Sequence, residues 1–251
     1  MKMKKLAISA LSATMLFSGA SSVFANSKTY DEQTGIETVI IDVPRTSDAS
    51  LQSNISPALN GGIVTPMALT TTNATFLQTV GTGFTETSQA SAASNIKMYK
   101  EDVNDPNYSY YIFWHSGTAT SKTNTAGVDN GNIRYLGLRT IFAGDIFDFL
   151  ITGWAPITDT TVNTPQTINV ELGYSKGGVS GKISSSFVLS RDVFGPEAIN
   201  PSSKAGVRWS GNYEGSQGIE GGVEFRAPAS VGWVFVRDHV THQIELKSSQ
   251  I

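Results

Sequence analysis

Apolar and polar residues alternate with period two through Ile168-Asn169-Val170-Glu171-Leu172-Gly173-Tyr174-Ser175 and again through Ile183-Ser184-Ser185-Ser186-Phe187-Val188-Leu189-Ser190. That is the period of a strand with one apolar face. Ile168, Val170, Leu172 and Tyr174 fall on one side of the first arm; Ile183, Phe187 and Leu189 fall on one side of the second, with only Ser185 and Val188 blurring the polar–apolar pattern. Between the arms, Lys176-Gly177-Gly178-Val179-Ser180-Gly181-Lys182 supplies the glycines a reversal needs, so the stretch predicts an amphipathic β-hairpin. Such a hairpin has two physical homes. Its apolar face can pack on the core of a soluble antiparallel sheet, or copies from several subunits can close a transmembrane barrel with apolar residues toward lipid and polar ones toward an aqueous lumen. An arm of about eight residues at roughly 3.3 Å each reaches about 26 Å, close to the apolar band of such barrels.

The rest of the pattern is also β. Phe76 to Phe84, Ala93 to Tyr99, Tyr108 to His115, Ile133 to Ile141 and Ile146 to Thr152 are short runs of β-branched and aromatic residues between Gly, Asn, Asp, Pro and Ser clusters. After the hairpin come Gly206 to Ser210, Gly221 to Phe225, Val231 to Asp238 and His242 to Leu246. No segment carries a capped apolar 3.6 period over ten or more residues, and no repeat of fixed period is apparent. The expectation is an all-β chain: an antiparallel β-sandwich over residues 70–251 containing the hairpin 168–190.

The N-terminal part differs. Met1-Lys2-Met3-Lys4-Lys5, an apolar and small-residue run to Phe24, and Val23-Phe24-Ala25 before Asn26 have the order of a secretory signal peptide, with cleavage expected after Ala25. The expected location is therefore extracellular. Residues 26–69 are polar and read as a largely flexible extension; only Ile36 to Val43 has strand character, and a peripheral strand is the other reading of it. Without Lys2, Lys4 and Lys5, 15 basic residues face 21 acidic ones, and no basic stripe appears, which disfavours a nucleic-acid partner. With no cysteine, an exported chain of this kind must hold together by core burial.

Candidate chemistry is thin. Gly173-Tyr174-Ser175-Lys176-Gly177 matches a nucleophile elbow, but a helix should follow that serine, and here glycines and a second strand follow; His239, His242, Asp192 and Asp238 are its only plausible partners. Gly181-Lys182 lacks the Ser or Thr of a phosphate loop, since Ile183 stands there. His239 and His242, three apart in a predicted strand, point to opposite faces and do not make a joint metal site. Asp102, Asn104 and Asp105 read as turn residues rather than a calcium loop, and the spacing of Asp145 and Asp148 places them on opposite faces of a strand. No catalytic, metal or cofactor site is assigned. The aromatics Tyr108, Tyr110, Tyr111, Trp114, Trp154, Trp209, Tyr213 and Trp233 are expected mainly in the core.

From about Tyr108 to Trp209 the order of features resembles the leukocidin and α-hemolysin family of bacterial β-barrel pore-forming toxins. The resemblance is carried by Asp105-Pro106-Asn107-Tyr108 opening an aromatic strand, by Thr140-Ile141-Phe142-Ala143-Gly144, by Trp154-Ala155-Pro156 before a Thr-rich lead-in, by the hairpin itself, and by Asn200-Pro201-Ser202 leading to Gly206-Val207-Arg208-Trp209. It implies a secreted monomer that docks on a target-cell membrane, forms a homo-oligomeric ring and contributes one hairpin, folded beforehand as a pre-stem, to a shared barrel. Carried over, Ile168, Val170, Leu172, Tyr174, Ile183, Phe187 and Leu189 would face lipid, and Asn169, Glu171, Ser184 and Ser186 the lumen. The stretch after Trp209 is short for the family's rim, so no headgroup-binding Trp or Arg is carried over. A secreted sandwich that binds a glycan or other cell-surface ligand without inserting is the alternative expectation.

Overall fold

The fold is that of a computed structural model in which residues 25–43, 69–122, 131–142 and 148–250 are described. The chain runs through β1 (Ala25–Asp31), β2 (Ile36–Val43), β3 (Thr70–Thr72), β4 (Ala74–Glu86), β5 (Ala90–Glu101), β6 (Tyr108–Ser121), β7 (Gly131–Phe142), β8 (Leu150–Ala155) and β9 (Thr160–Val162). It continues through β10 (Gln166–Lys176), β11 (Val179–Leu189), β12 (Asp192–Asn200), β13 (Lys204–Tyr213), β14 (Ser216–Pro228), α1 (Trp233–Asp238) and β15 (Val240–Gln250). The protein is all-β: its strands form a seven-stranded sheet, β1-β2-β15-β7-β13-β12-β9, a five-stranded sheet, β4-β5-β6-β14-β8, and a three-stranded sheet, β10-β11-β3, with every pairing antiparallel. Among the described residues no helix is long and apolar enough to cross a membrane, which says nothing of strands.

Parity along the strands explains the layering. On β6 the odd residues Tyr111, Phe113 and His115 point toward the seven-stranded sheet, where Phe113 and His115 meet His242 and Thr140. The even residues Ile112 and Trp114 point the other way and are equally buried, because the three-stranded sheet lies over them. The five-stranded sheet is thus the middle layer. This is why β6 reads as an unbroken apolar run, Tyr110-Tyr111-Ile112-Phe113-Trp114, rather than as an alternation.

The core between the two large sheets encloses His115, fully buried, with Nε2 2.7 Å from Thr140 Oγ1. Burial pushes its imidazole down to about 3, so it is neutral in the folded protein. The unfolded chain takes up that proton below pH ~6.5, so the contribution of His115 to stability is lost as pH falls from there toward 3, at about 1.4 kcal/mol per pH unit. Urea unfolding at pH 7, 5 and 4 should therefore show a shallower acid loss in His115→Gln than in the wild type.

Three expectations need correction. Residues 25–43 are not a flexible extension: β2 pairs with β15 along His242↔Val43 to Ser249↔Ile36 and buries Val39, Ile41 and Val43. The partner strand lies some 200 residues away, so polar composition alone hides it; residues 44–68, and the signal-peptide stretch up to residue 24, lie outside the described residues. The run Val231 to Asp238 contains a short helix instead of a strand. It connects β14 of the five-stranded sheet to β15 of the seven-stranded sheet, and its backbone groups find partners locally, with Val236 N donating to Gly232 O and the His239 ring stacked on Phe235. The strand expected over Ile146 to Thr152 is found as β8, Leu150–Ala155; residues 143–147, Asp145 included, lie outside the described residues.

Candidate functional site

The hairpin is formed by β10 and β11 in continuous register from Gln166↔Leu189 to Lys176↔Val179. Gly177 and Gly178 close it with φ of +56° and +79°, values that favour glycine. Burial follows the alternation. Val170, Leu172, Tyr174, Ile183, Phe187 and Leu189 are buried, and Ile168 is half-buried against the core. Asn169 and Glu171 are exposed, and Ser184 and Ser186 are half-exposed on the outer side. Ser185 takes an inward place and Val188 an outward one, in keeping with their parity.

What the inward face meets is the outer surface of the middle sheet. Leu172 lies over Gly222 and Gly153: a Cβ on Gly222 would come within 3.0 Å of Leu172 and 2.9 Å of Trp114, so the missing side chain makes room for both. Phe187 packs edge-on against Phe194 of β12, with ring centroids 4.9 Å apart. The third strand of the small sheet, β3, pairs Thr70–Thr72 with Ser184, Ile183 and Lys182, and the chain then crosses directly into β4. Tyr174 reinforces that crossing by donating its hydroxyl to the carbonyls of Thr72 and Asn73, while Asn73 Nδ2 donates to Ser180 O at 2.6 Å. The small sheet shares no ladder with either large sheet.

Beneath the hairpin lie three buried carboxylates. Glu220 accepts from Trp114 Nε1 at 3.0 Å. Glu224 accepts from Thr152 Oγ1 and is paired with Lys176. Glu101, 1% exposed, has the same ammonium 3.8 Å away and accepts no hydrogen bond on either oxygen among the described residues. Burial pushes Glu101 up to about 7, against the pull of Lys176. Burial likewise holds Lys176 below the usual lysine range, partly offset by Glu101. The Lys176 ammonium also sits over the Tyr110 ring, 4.1 Å from its centroid. None of Lys176, Glu101, Glu220 and Glu224 was among the residues expected here from the alternation. A signal was present for one of them: Lys176 has the same parity as Leu172 and Tyr174, so the period that makes the face apolar also points its last member inward.

A second charged constellation lies on the outer face of the seven-stranded sheet. Arg139 of β7 stands between Glu197 of β12 and Glu245 of β15, with Nη2 2.7 Å from Glu197 Oε1 and a direct pair to Glu245; Gln243 and Tyr135 complete its shell. Burial works against the guanidinium charge, but the two carboxylates outweigh it and hold Arg139 above its ordinary range, while Arg139 holds Glu245 below its own despite burial.

The remaining sequence candidates are dispersed. Ser175 lies in β10, with its Oγ accepting from Ser180 Oγ at 3.0 Å, and a turn and β11 follow where an elbow requires a helix. Asp105 accepts from the amides of Asn107 and Tyr108 and from the Tyr110 hydroxyl, while Asp102 accepts from Thr75 Oγ1. Asp148 accepts from the Tyr108 hydroxyl. Asp192 receives the Asn212 amide, and Asp238 pairs with Arg237. His239 caps α1 rather than standing in a strand, and His242 is buried in β15. Lys182 pairs with Glu171 on the hairpin surface. Among the described residues no group of three or more His, Cys, Asp or Glu is placed to hold a metal ion. No family model matches the chain, and comparison with curated proteins gives no match.

Proposed function

We propose that this protein is a secreted, cytolysin-like protein that assembles on a target membrane as a homo-oligomer and inserts the β10–β11 hairpin. The observation that carries the reading is the independence of the small sheet. It shares no ladder with either large sheet and is tied to them by side chains and by the chain itself, at Asn73 and through the β9–β10 and β11–β12 connections, so it can leave the middle layer without breaking a single strand ladder of the sandwich. Each arm has 11 residues, which at roughly 3.3 Å per residue span more than the ~25 Å apolar band of an outer-membrane-type barrel. A lone hairpin would carry unpaired backbone edges into the bilayer, so insertion is coupled to closure of a ring. In that state Ile168, Val170, Leu172, Tyr174, Ile183, Phe187 and Leu189 face lipid, and Asn169, Glu171, Ser184 and Ser186 face the lumen.

A second reading has its own support. The hairpin's apolar face is already covered in the monomer, as in a secreted sandwich that recognises a glycan or another cell-surface ligand and never inserts. Dye release from liposomes and erythrocytes by the purified protein without residues 1–25, with SDS-resistant oligomers assayed in the same samples, separates the two. Leakage together with a ring-sized oligomer is the expected result. A persistent monomer without leakage across several lipid and cell types would sink the pore-forming reading and leave ligand binding.

A further inference from the structure

We propose that Lys176 and the buried carboxylates Glu101 and Glu224 form a proton-sensitive latch on the three-stranded sheet, closed while Glu101 carries a proton and loosened as Glu101 ionises. The inference deepens the reading that the hairpin leaves the sandwich, and rests on it for its biological meaning.

The geometry sets one ammonium against two carboxylates. Lys176 is the last inward residue of β10 and is paired with Glu224, which Thr152 also serves. Glu101, at the end of β5, is the surplus: it is as buried as the core, 3.8 Å from a cation already engaged, and accepts no hydrogen bond among the described residues. A buried carboxylate so placed is costly when charged. The hairpin covers it, since the closing turn lies over the β5–β6 connection, where a Cβ on Gly177 would lie 3.5 Å from Val103 Cγ1. Undocking the hairpin would return Glu101 to water and to an ordinary carboxylate affinity.

The other groups around Glu101 limit what else can titrate. From β10, Tyr174 is pushed up to about 12 by burial and by the charges of Glu101 and Asp102, and from β6 Tyr110 is raised as well, so both stay neutral through the neutral range. Arg226 of β14 is occupied by Asp148 and the Tyr108 ring. On the far face of β6, His115 points into the other core layer. The sign follows: burial raises Glu101 to about 7 in the docked state, so the docked form holds a proton that the undocked form has lost. Docking is therefore favoured at acid pH and weakens as pH rises through about 7. Lys176, lowered by burial, works in the opposite sense.

Hydrogen exchange of the β10 and β11 amides at pH 5 to 8, corrected for intrinsic exchange and referenced to β15, tests the latch without a membrane. Protection in the wild type should fall by roughly an order of magnitude or more between pH 5 and pH 8. In Glu101→Gln it should stay high and flat, and in Lys176→Met it should be lower than in the wild type at pH 8. Unchanged β15 protection certifies that each variant is folded. Flat protection in the wild type, or an equal fall in Glu101→Gln, would overturn the latch. Vesicle leakage is read separately: a pH-dependent hairpin with no leakage at any pH supports the latch and sinks the pore-forming reading, whereas leakage with pH-independent protection does the reverse.

Discussion

Arg139→Ala is expected to destabilise the protein by about 3–5 kcal/mol, because it leaves two buried carboxylates facing each other with no cation between them. Glu197 and Glu245 have side chains 9% exposed, and among the described residues Arg139 is the only guanidinium in direct contact with both. Arg208, 3.8 Å from Glu197 and itself paired with Asp159, and Lys247, paired with Glu245 at 3.1 Å, are part-exposed, and each reaches one of the two carboxylates rather than both. The three charges also join β7, β12 and β15 across the seven-stranded sheet, so the loss is felt by the whole sandwich. Urea unfolding at neutral pH measures it. The triple replacement Arg139→Met, Glu197→Leu, Glu245→Leu should recover most of the loss, since the cost lies in unpaired charge more than in missing attraction. A single Arg139→Ala variant within about 1 kcal/mol of the wild type would show instead that the constellation is well hydrated.

Leu172→Asp should undock the three-stranded sheet while the sandwich stays folded. Leu172 is 4% exposed and seated over Gly222 and Gly153, with Glu224 beside Gly153. A carboxylate at that point is buried without a partner, next to a like charge, a change in the class that costs roughly 4 kcal/mol or more. The small sheet has no ladder to either large sheet, so the least costly response is local release. Hydrogen exchange should show loss of protection confined to β3, β10 and β11, and under the proposed pore-forming reading the same substitution should abolish leakage, because the inserted hairpin would carry a charge toward lipid. Cooperative loss of protection in β7 and β15 as well would show that the hairpin is an integral layer of the core, and would count against a hairpin able to leave it. Since Leu172 is buried in the folded protein and would be buried against lipid in the proposed inserted state, loss of leakage alone does not discriminate; the exchange pattern does.

The hairpin was legible in the sequence almost residue by residue. Ile168 to Tyr174 and Ile183 to Leu189 carry the period of an extended chain, and two successive glycines mark the turn. That period arises from covalent geometry within a single strand, so no tertiary information is needed to read it. The same local signal locates β4 to β7 and β13 to β15, though it stops β6 at His115 where the strand runs on to Ser121 and opens β14 at Gly221 where it begins at Ser216. It misassigns Val231 to Asp238, where β-branched and aromatic residues form a helix, since strand propensity is read through packing context rather than from the backbone alone.

The two faces of the hairpin, the strand-rich class of the chain and the scarcity of helix were therefore determined by the sequence alone. Only the tertiary structure decided that β2 lies beside β15, that the five-stranded sheet is covered on both sides, and that Lys176 meets Glu101 and Glu224. Strand partners and buried ion pairs are chosen among many sequence-distant alternatives by the packing of whole layers, and a two-residue period says which way a side chain points without saying what it will find there.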